Sequence, residues 1–410
     1  MRRLRKNEQK IRIPVGYFRI DKEARKAINE VLDIGQISEG PKVREFEIQF
    51  AKYVGTKYAI AVSSGTSALM AGLLALIHIY KIKTGSKVIT TPLSYVATSN
   101  AIVRSGFEPV YVDVDRKTFG ITAENIENHL NKIKDLKEYS IILPVHLLGY
   151  PCQMDEINKI AEKYNLLTFE DSAQAHGSLY KDKKTGSLSL LSAFSFYVAH
   201  NIQAGELGAI TTDSKEISKL LRKIKANGRL CDCPICMRAQ GKCPRKLMDG
   251  NEDNDPRFTH DFIGLNFKTM EFQAALALPQ LARVGKIIKK RQKNVKYLNQ
   301  HLKKYNQIFD LPNYSCDVSY LAYPLLIKDA KVISRKRLRF ELEKNGVETR
   351  PIFGCIPTQQ PAYSYLKKTY EGKLPNAEYI GKNGLYIGCH QYLEQKDLEY
   401  IIEAFQKILG

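Results

Sequence analysis

The chain has 410 residues, 44% hydrophobic and 26% charged, with a formal net charge of +20 at pH 7; this is the composition of a globular protein, long enough for a large core plus a smaller unit. No apolar run reaches the ~20 residues a membrane helix needs, and the basic N-terminus (Arg2, Arg3, Arg5, Lys6, Lys10, Arg12) lacks the apolar stretch of a secretory signal, so a cytoplasmic protein without a membrane partner is expected. Lysines and arginines scattered along helical faces, with no basic–aromatic repeat, read as a solvated surface and exclude a nucleic-acid partner.

Residues 1–20 read as a basic tail, followed by helices near Lys22–Leu32 and Val43–Tyr53 and a turn containing Gly35 and Gly40. Strand Tyr58–Val62 runs into Ser63-Ser64-Gly65-Thr66-Ser67 and then an apolar helix, Ala68–Ile79. A small-residue turn opening a helix presents free backbone N–H groups and a positive dipole end to an anion, although Ser or Thr there is also an ordinary cap. Strand Val88–Pro92 leads to Ser94-Tyr95-Val96-Ala97-Thr98, which opens a helix. Strands near Pro109–Val112, Ile141–Val145 and Leu166–Phe169 then alternate with helices near Ala123–Lys134 and Met154–Tyr164. That alternation predicts an α/β fold with a mainly parallel sheet covered on both faces. Glu170-Asp171-Ser172-Ala173-Gln174-Ala175-His176-Gly177 stands at the end of the last of these strands, where open α/β sheets place their ligands.

The stretch Phe194-Ser195-Phe196-Tyr197-Val198-Ala199-His200-Asn201 lies between strands expected over Leu188–Phe196 and Gly205–Thr211, at the mouth of the sheet. A helix near Lys215–Lys225 follows, and then four of the eight cysteines crowd together as Cys231, Cys233, Cys236 and Cys243. Scattered cysteines without a signal peptide are not a disulfide framework. Four thiols in so short a run could converge on one metal centre, with zinc and iron–sulfur both compatible. Beyond Gly264-Leu265-Asn266 a charged helix from Val284 to about Lys304 is expected to bridge to a small α+β unit. In that unit strands Ser319–Ile327 and Val347–Thr349 are expected, with helices Val332–Asn345, Asn376–Lys382 and Gln395–Leu409. The implied organisation is a tail (1–20), a large domain (21–283) with a Cys-rich loop (228–262), a bridging helix (284–306) and a small C-terminal domain (307–410).

These segments, in this order, resemble the DegT/DnrJ/EryC1/StrS sugar aminotransferases, of the fold-type I pyridoxal phosphate (PLP) class, from about Ile13 to Leu409. The resemblance implies a phosphate site at Gly65, Thr66 and Ser195, and an aromatic ring, Tyr95, stacked on the cofactor. It implies that Asp171 pairs with the pyridinium nitrogen, which keeps the ring an electron sink, and that Gln174 contacts the ring hydroxyl side. Asn266 would reach the second subunit of a homodimer, and Arg350 and Gln360 would face a nucleotide-diphosphate sugar. In the family, the residue at position 200 is the lysine that binds PLP covalently; here it is His200, and the nearest lysines, Lys184 and Lys215, are far away in sequence. An imidazole cannot form that bond but can shuttle a proton.

The Gly228-Arg229-Leu230-Cys231-Asp232-Cys233 run resembles the iron–sulfur loop of the 3-dehydrase branch, which works with pyridoxamine phosphate (PMP) and also carries histidine for lysine. That branch implies C-3 deoxygenation of a nucleotide-linked 4-keto-6-deoxyhexose. Electrons would arrive from a ferredoxin or flavin reductase through a cluster, [2Fe-2S] favoured, on the four cysteines. The branch's far-upstream cluster cysteine corresponds here to Ala173, and Cys236 is an additional thiol. A cluster-free, glutamate-dependent 3-dehydratase and a degenerate aminotransferase with a binding role are the rival expectations.

Overall fold

The computed structural model describes residues 11–233 and 258–410; the start of the basic tail and residues 234–257, with Cys236 and Cys243, lie outside the described residues. The main sheet is built from β1 (Tyr58–Val62), β2 (Lys87–Thr90), β3 (Glu108–Tyr111), β4 (Tyr139–Leu143) and β5 (Leu167–Asp171). After a small hairpin of β6 (Leu179–Tyr180) and β7 (Lys183–Lys184) come β8 (Leu191–Ser195) and β9 (Gly208–Thr212). Across the sheet the order is β1-β9-β8-β5-β4-β2-β3. Neighbours from β8 to β3 pair parallel, and β9 alone runs against its neighbours β8 and β1. The expected mainly parallel sheet is present. Parallel neighbours need a crossover between them, whereas the antiparallel pair β8 and β9 is joined by a loop, residues 196–207.

Helices α1 (Lys22–Ile34) and α2 (Pro41–Val54) precede the sheet, and α3 (Gly65–Tyr80), α4 (Ala97–Arg104), α5 (Ala123–Leu130) and α6 (Met154–Lys163) fill its crossovers. α7 (Lys215–Ile224) follows β9; α8 (Glu271–Ala282) packs on α2, and α9 (Val284–Leu302) follows it. Leu69, Leu73 and Leu76 of α3 and Leu221 of α7 pack on Ile60, Phe169 and Ile210 of one sheet face. Phe46 and Phe50 of α2 pack with Ala274 of α8 on Phe194 and Ala209 of the other. With both faces covered, β8 and β9 are buried along nearly their whole length, Ser192, Thr211 and Thr212 included. A Cβ at Gly72 would collide with the Phe169 ring, so glycine there sets how closely α3 rides on β5.

A second, antiparallel sheet has the order β10 (Phe309–Asp310), β11 (Tyr323–Ile327), β13 (Gly384–Ile387), β12 (Thr349–Pro351). The C-terminal helix Gln395–Leu409 packs against α9.

Several boundaries differ from expectation for local reasons. α3 begins at Gly65 because Ser64 and Ser67 form a reciprocal capping box: Ser64 N–H donates to Ser67 Oγ at 2.8 Å, and Ser67 N–H to Ser64 Oγ at 3.1 Å. β8 starts only at Leu191, because the Glu170 carboxylate draws off the Leu188 N–H and the Ser189 hydroxyl, each at 2.9 Å. The helix expected from Val332 starts at Arg335, capped by Ser334. Ser319–Leu321 is not strand: Tyr320 has φ +46°. Among the described residues no helix is long and apolar enough to cross a membrane.

Candidate active site

The C-terminal ends of β1, β2, β4, β5 and β8 open into one cavity of about 540 Å³. It is lined by Gly65, Thr66, Tyr95, Asp171, Gln174, Ser195, His200 and Arg350, so the structure brings together eight residues singled out from the sequence. A larger groove of about 730 Å³ on another part of the surface contains none of them.

Adjacent strand residues point to opposite sides, and β5 uses that alternation to separate two acids. Glu170 turns inward, where it accepts from Gly186 N–H (2.8 Å) and meets His146 Nε2 at 2.9 Å. His146 Nδ1 accepts the Cys152 N–H (3.0 Å), which leaves the ring proton on Nε2 for Glu170. Asp171 turns to the cavity, its carboxylate accepting from Thr98 Oγ1 (2.9 Å) and Ala173 N–H (3.1 Å). It is 4% exposed, and burial pushes its carboxyl above the usual range. Among the described residues no side-chain cation pairs with it, so it is a carboxylate prepared for a positive charge that the protein does not supply.

At the start of α3 the capping box uses the Ser67 N–H, and Ala68 N–H closes on Ser64 O at 3.0 Å. The N–H groups of Gly65 and Thr66 have no acceptor among the described residues and lie at the cavity with Ser195. A Cβ on Gly65 would sit 2.5 Å from Ser195 Cβ, so this turn and the end of β8 close up only with glycine there. Free helix-terminal amides and a neighbouring hydroxyl make an anion cradle. Tyr95 is 62% exposed, its ring 5.9 Å from that of Phe353. Together, a carboxylate without a cation, an anion cradle and an open aromatic face fit a phosphorylated pyridine of the PLP and PMP kind.

His200 sits on the loop from β8 to β9, with Nδ1 2.7 Å from the Ser195 carbonyl. A carbonyl only accepts, so Nδ1 carries the proton and Nε2 keeps its lone pair. Burial pushes the imidazole down to about 4, against the pull of that hydrogen bond. At neutral pH His200 is therefore an uncharged base of fixed tautomer.

Other expectations are placed differently. The Gln174 carbonyl accepts the Leu148 N–H at 2.9 Å, so only its NH2 is left for the cavity. Arg350 holds Glu348 at 3.1 Å while lining the cavity. Gln360, which caps a 3₁₀ turn, and Asn266, exposed and bridged to Ala226, lie outside this cavity. Cys231 and Cys233 are half-buried and lie outside it, and among the described residues no group of three His, Cys, Asp or Glu could hold a metal ion. Thr98, in the first turn of α4, is not among the residues singled out from the sequence, yet its hydroxyl holds Asp171. Phe353, Tyr386 and Glu206 also line the cavity without any motif to announce them.

Residues 19–406 match the DegT/DnrJ/EryC1/StrS aminotransferase family. The chain is 30% identical to the GDP-4-keto-6-deoxy-D-mannose 3-dehydratase of Escherichia coli O55:H7 over 93% of this chain and 96% of that protein. It superimposes on the structure of the E. coli GDP-4-keto-6-deoxy-D-mannose-3-dehydratase with bound hydrated PLP with a TM-score of 0.85, at 29% identity, covering 98% of this chain and 100% of that one. Helicobacter pylori PseC, an aminotransferase involved in the biosynthesis of pseudoaminic acid, superimposes with a TM-score of 0.84 at 26% identity, over 97% and 99% of the two chains.

Proposed function

The chain belongs to the DegT/DnrJ/EryC1/StrS aminotransferase family, with the fold-type I architecture, and from that premise we propose that it is a PMP-dependent sugar 3-dehydrase. Its substrate would be a nucleotide-linked 4-keto-6-deoxyhexose, and the reaction removes the C-3 hydroxyl. One observation carries this reading: the cavity presents His200, an uncharged imidazole with Nε2 free, where the family's transaminating members have the lysine that tethers the cofactor.

In this reading the Gly65 and Thr66 amides and the Ser195 hydroxyl bind the cofactor phosphate, Tyr95 flanks the ring, and the Asp171 carboxylate holds the proton on the ring nitrogen. Bound PMP supplies a primary amine and an electron-withdrawing pyridinium. His200 Nε2 takes a proton and returns one to the leaving hydroxyl, a role that suits a base held neutral at working pH. Thr98 keeps Asp171 oriented. Arg350, at the cavity mouth, is the side chain for the anionic sugar nucleotide. Residues 21–283 serve as the cofactor-binding domain, 284–306 as the bridge and 307–410 as the small domain. Asn266, which is exposed, would face the second subunit of a homodimer; Phe258 (72%) and Ile263 (97%), earlier in the same segment, are exposed too.

Replacing C–OH by C–H consumes two electrons and two protons and releases water. An iron–sulfur cluster on Cys231, Cys233, Cys236 and Cys243, fed by a ferredoxin or flavin reductase, is the proposed source. Anaerobically purified protein should be coloured and contain iron. With PMP, a nucleotide-linked 4-keto-6-deoxyhexose and a reductant it should yield a sugar lighter by one oxygen atom. Colourless protein that deoxygenates with glutamate alone would establish the cluster-free reaction instead. Transfer of an amino group to the sugar, or a covalent lysine adduct after borohydride, would sink the dehydrase reading.

A further inference from the structure

One stripe of α9 is buried: Val284, Ile287, Arg291, Asn294, Val295, Leu298 and Leu302. Its third member is a cation. Arg291 is 1% exposed and makes no salt bridge to a carboxylate among the described residues. Nη1 donates to the carbonyls of Tyr320 (3.2 Å) and Leu321 (2.8 Å), and Nε to Gln391 Oε1 (3.1 Å). A buried charge answered only by neutral acceptors is expensive, and where it persists in a core it calls for an explanation.

The carbonyl one residue earlier, Ser319, accepts from Asn201 Nδ2 at 2.9 Å, and Asn201 directly follows His200. Three successive carbonyls are therefore held by two buried side chains, one from the helix behind and one from the His200 loop. The strap they hold is strained. Tyr320 has φ +46°, and Leu148, which accepts the Leu321 N–H at 3.1 Å, has φ +56°. Bulky residues avoid that region, and such conformations last only where the surroundings enforce them. The far end of the strap, Leu321, lines the active cavity.

We propose that Arg291 is a positioning residue for His200: it fixes the Ser319–Leu321 strap to which the His200 loop is anchored through Asn201. The inference rests on His200 being the base of the reaction above. Its charge also reaches the imidazole, adding to burial in holding His200 uncharged. The other groups facing His200 are Tyr197 and His176, whose ring centroids are each 6.1 Å away, the Ser195 carbonyl, and Asp171, Glu206 and Arg350 in the same cavity. His176 is itself kept neutral by burial.

Two variants test this. Arg291→Gln removes the charge but keeps a donor for one carbonyl; Arg291→Lys keeps the charge but loses the fork. The His200 titration is followed by NMR in cofactor-free, histidine-labelled protein, with His200→Asn giving the assignment. Arg291→Gln should raise the midpoint and Arg291→Lys should not, while both lower kcat at least about 10-fold with little change in KM. A midpoint unchanged in Arg291→Gln would overturn the proposal, and so would wild-type kcat in Arg291→Lys, which decides the matter if the glutamine variant does not fold. A role limited to stability would leave both midpoints in place. If His200→Asn turns over normally, the base assignment fails, and the titration still tests the link between the two residues.

Discussion

Replacing His200 with asparagine should make the protein less sensitive to acid, even without substrate or cofactor. In the folded chain burial holds the imidazole down at about 4, against an ordinary value of 6.5. As pH falls through 6.5 the unfolded chain takes up a proton that the folded one refuses, so stability is lost between those two values. From pH 7.5 to pH 5 the linkage relation gives a loss of about 2 kcal/mol from this residue, of about 3 kcal/mol available in full. His176 and His390 are also held neutral by burial, but both proteins contain them, so their contribution cancels. Urea unfolding of cofactor-free wild type and His200→Asn at the two pH values measures the difference. Wild type should lose about 2 kcal/mol more than the variant across the interval. A gap between the two proteins that is the same at pH 7.5 and pH 5 would refute a buried, neutral His200.

Asp171→Asn keeps the shape and the Thr98 hydrogen bond but removes the charge offered to the ring nitrogen. Turnover at saturating PMP should fall by about 100-fold or more, and kcat within 3-fold of wild type would count against the assignment. Gly65→Ala places a methyl 2.5 Å from Ser195 Cβ and pries open the anion cradle; PMP affinity, read by fluorescence quenching, should drop at least about 10-fold, or 1.4 kcal/mol. Glu47 is 1% exposed and held by Arg222 (2.9 and 3.1 Å) and Lys225 (3.6 Å). Glu47→Gln takes the paired carboxylate from half-buried Arg222 and leaves buried Lys225 paired with Glu39 alone among the described residues, and thermal unfolding should register a loss of about 3 kcal/mol.

What the sequence disclosed depended on whether the cause was local. β1 and the helix Gln395–Leu409 match expectation to the residue, because a short apolar run in one and helical spacing in the other are written in their own side chains. The five strand ends that meet at the cavity follow from the strand–helix alternation alone. Ser319–Leu321 reads as strand from its composition, yet it is bent by Arg291 and Asn201, which lie far away in sequence. β13 went unread because Gly384-Leu385-Tyr386-Ile387 is short and gains its order from β11 and β12 on either side. Arg291 is not singled out in the sequence reading, which takes Val284 to about Lys304 simply as a charged helix; the structure shows it on the buried stripe of α9. The distinction between Gln174 facing the cavity and Gln174 spent on Leu148 was not legible either, since it turns on one contact between separate segments.

The reciprocal serine lock at the head of α3 has a practical consequence. Because Ser64 and Ser67 tie off that turn with their own hydroxyls, the helix does not borrow its integrity from a guest phosphate. The turn proposed to receive the cofactor phosphate is thus shaped before any phosphate arrives, and binding there need not spend free energy on ordering it.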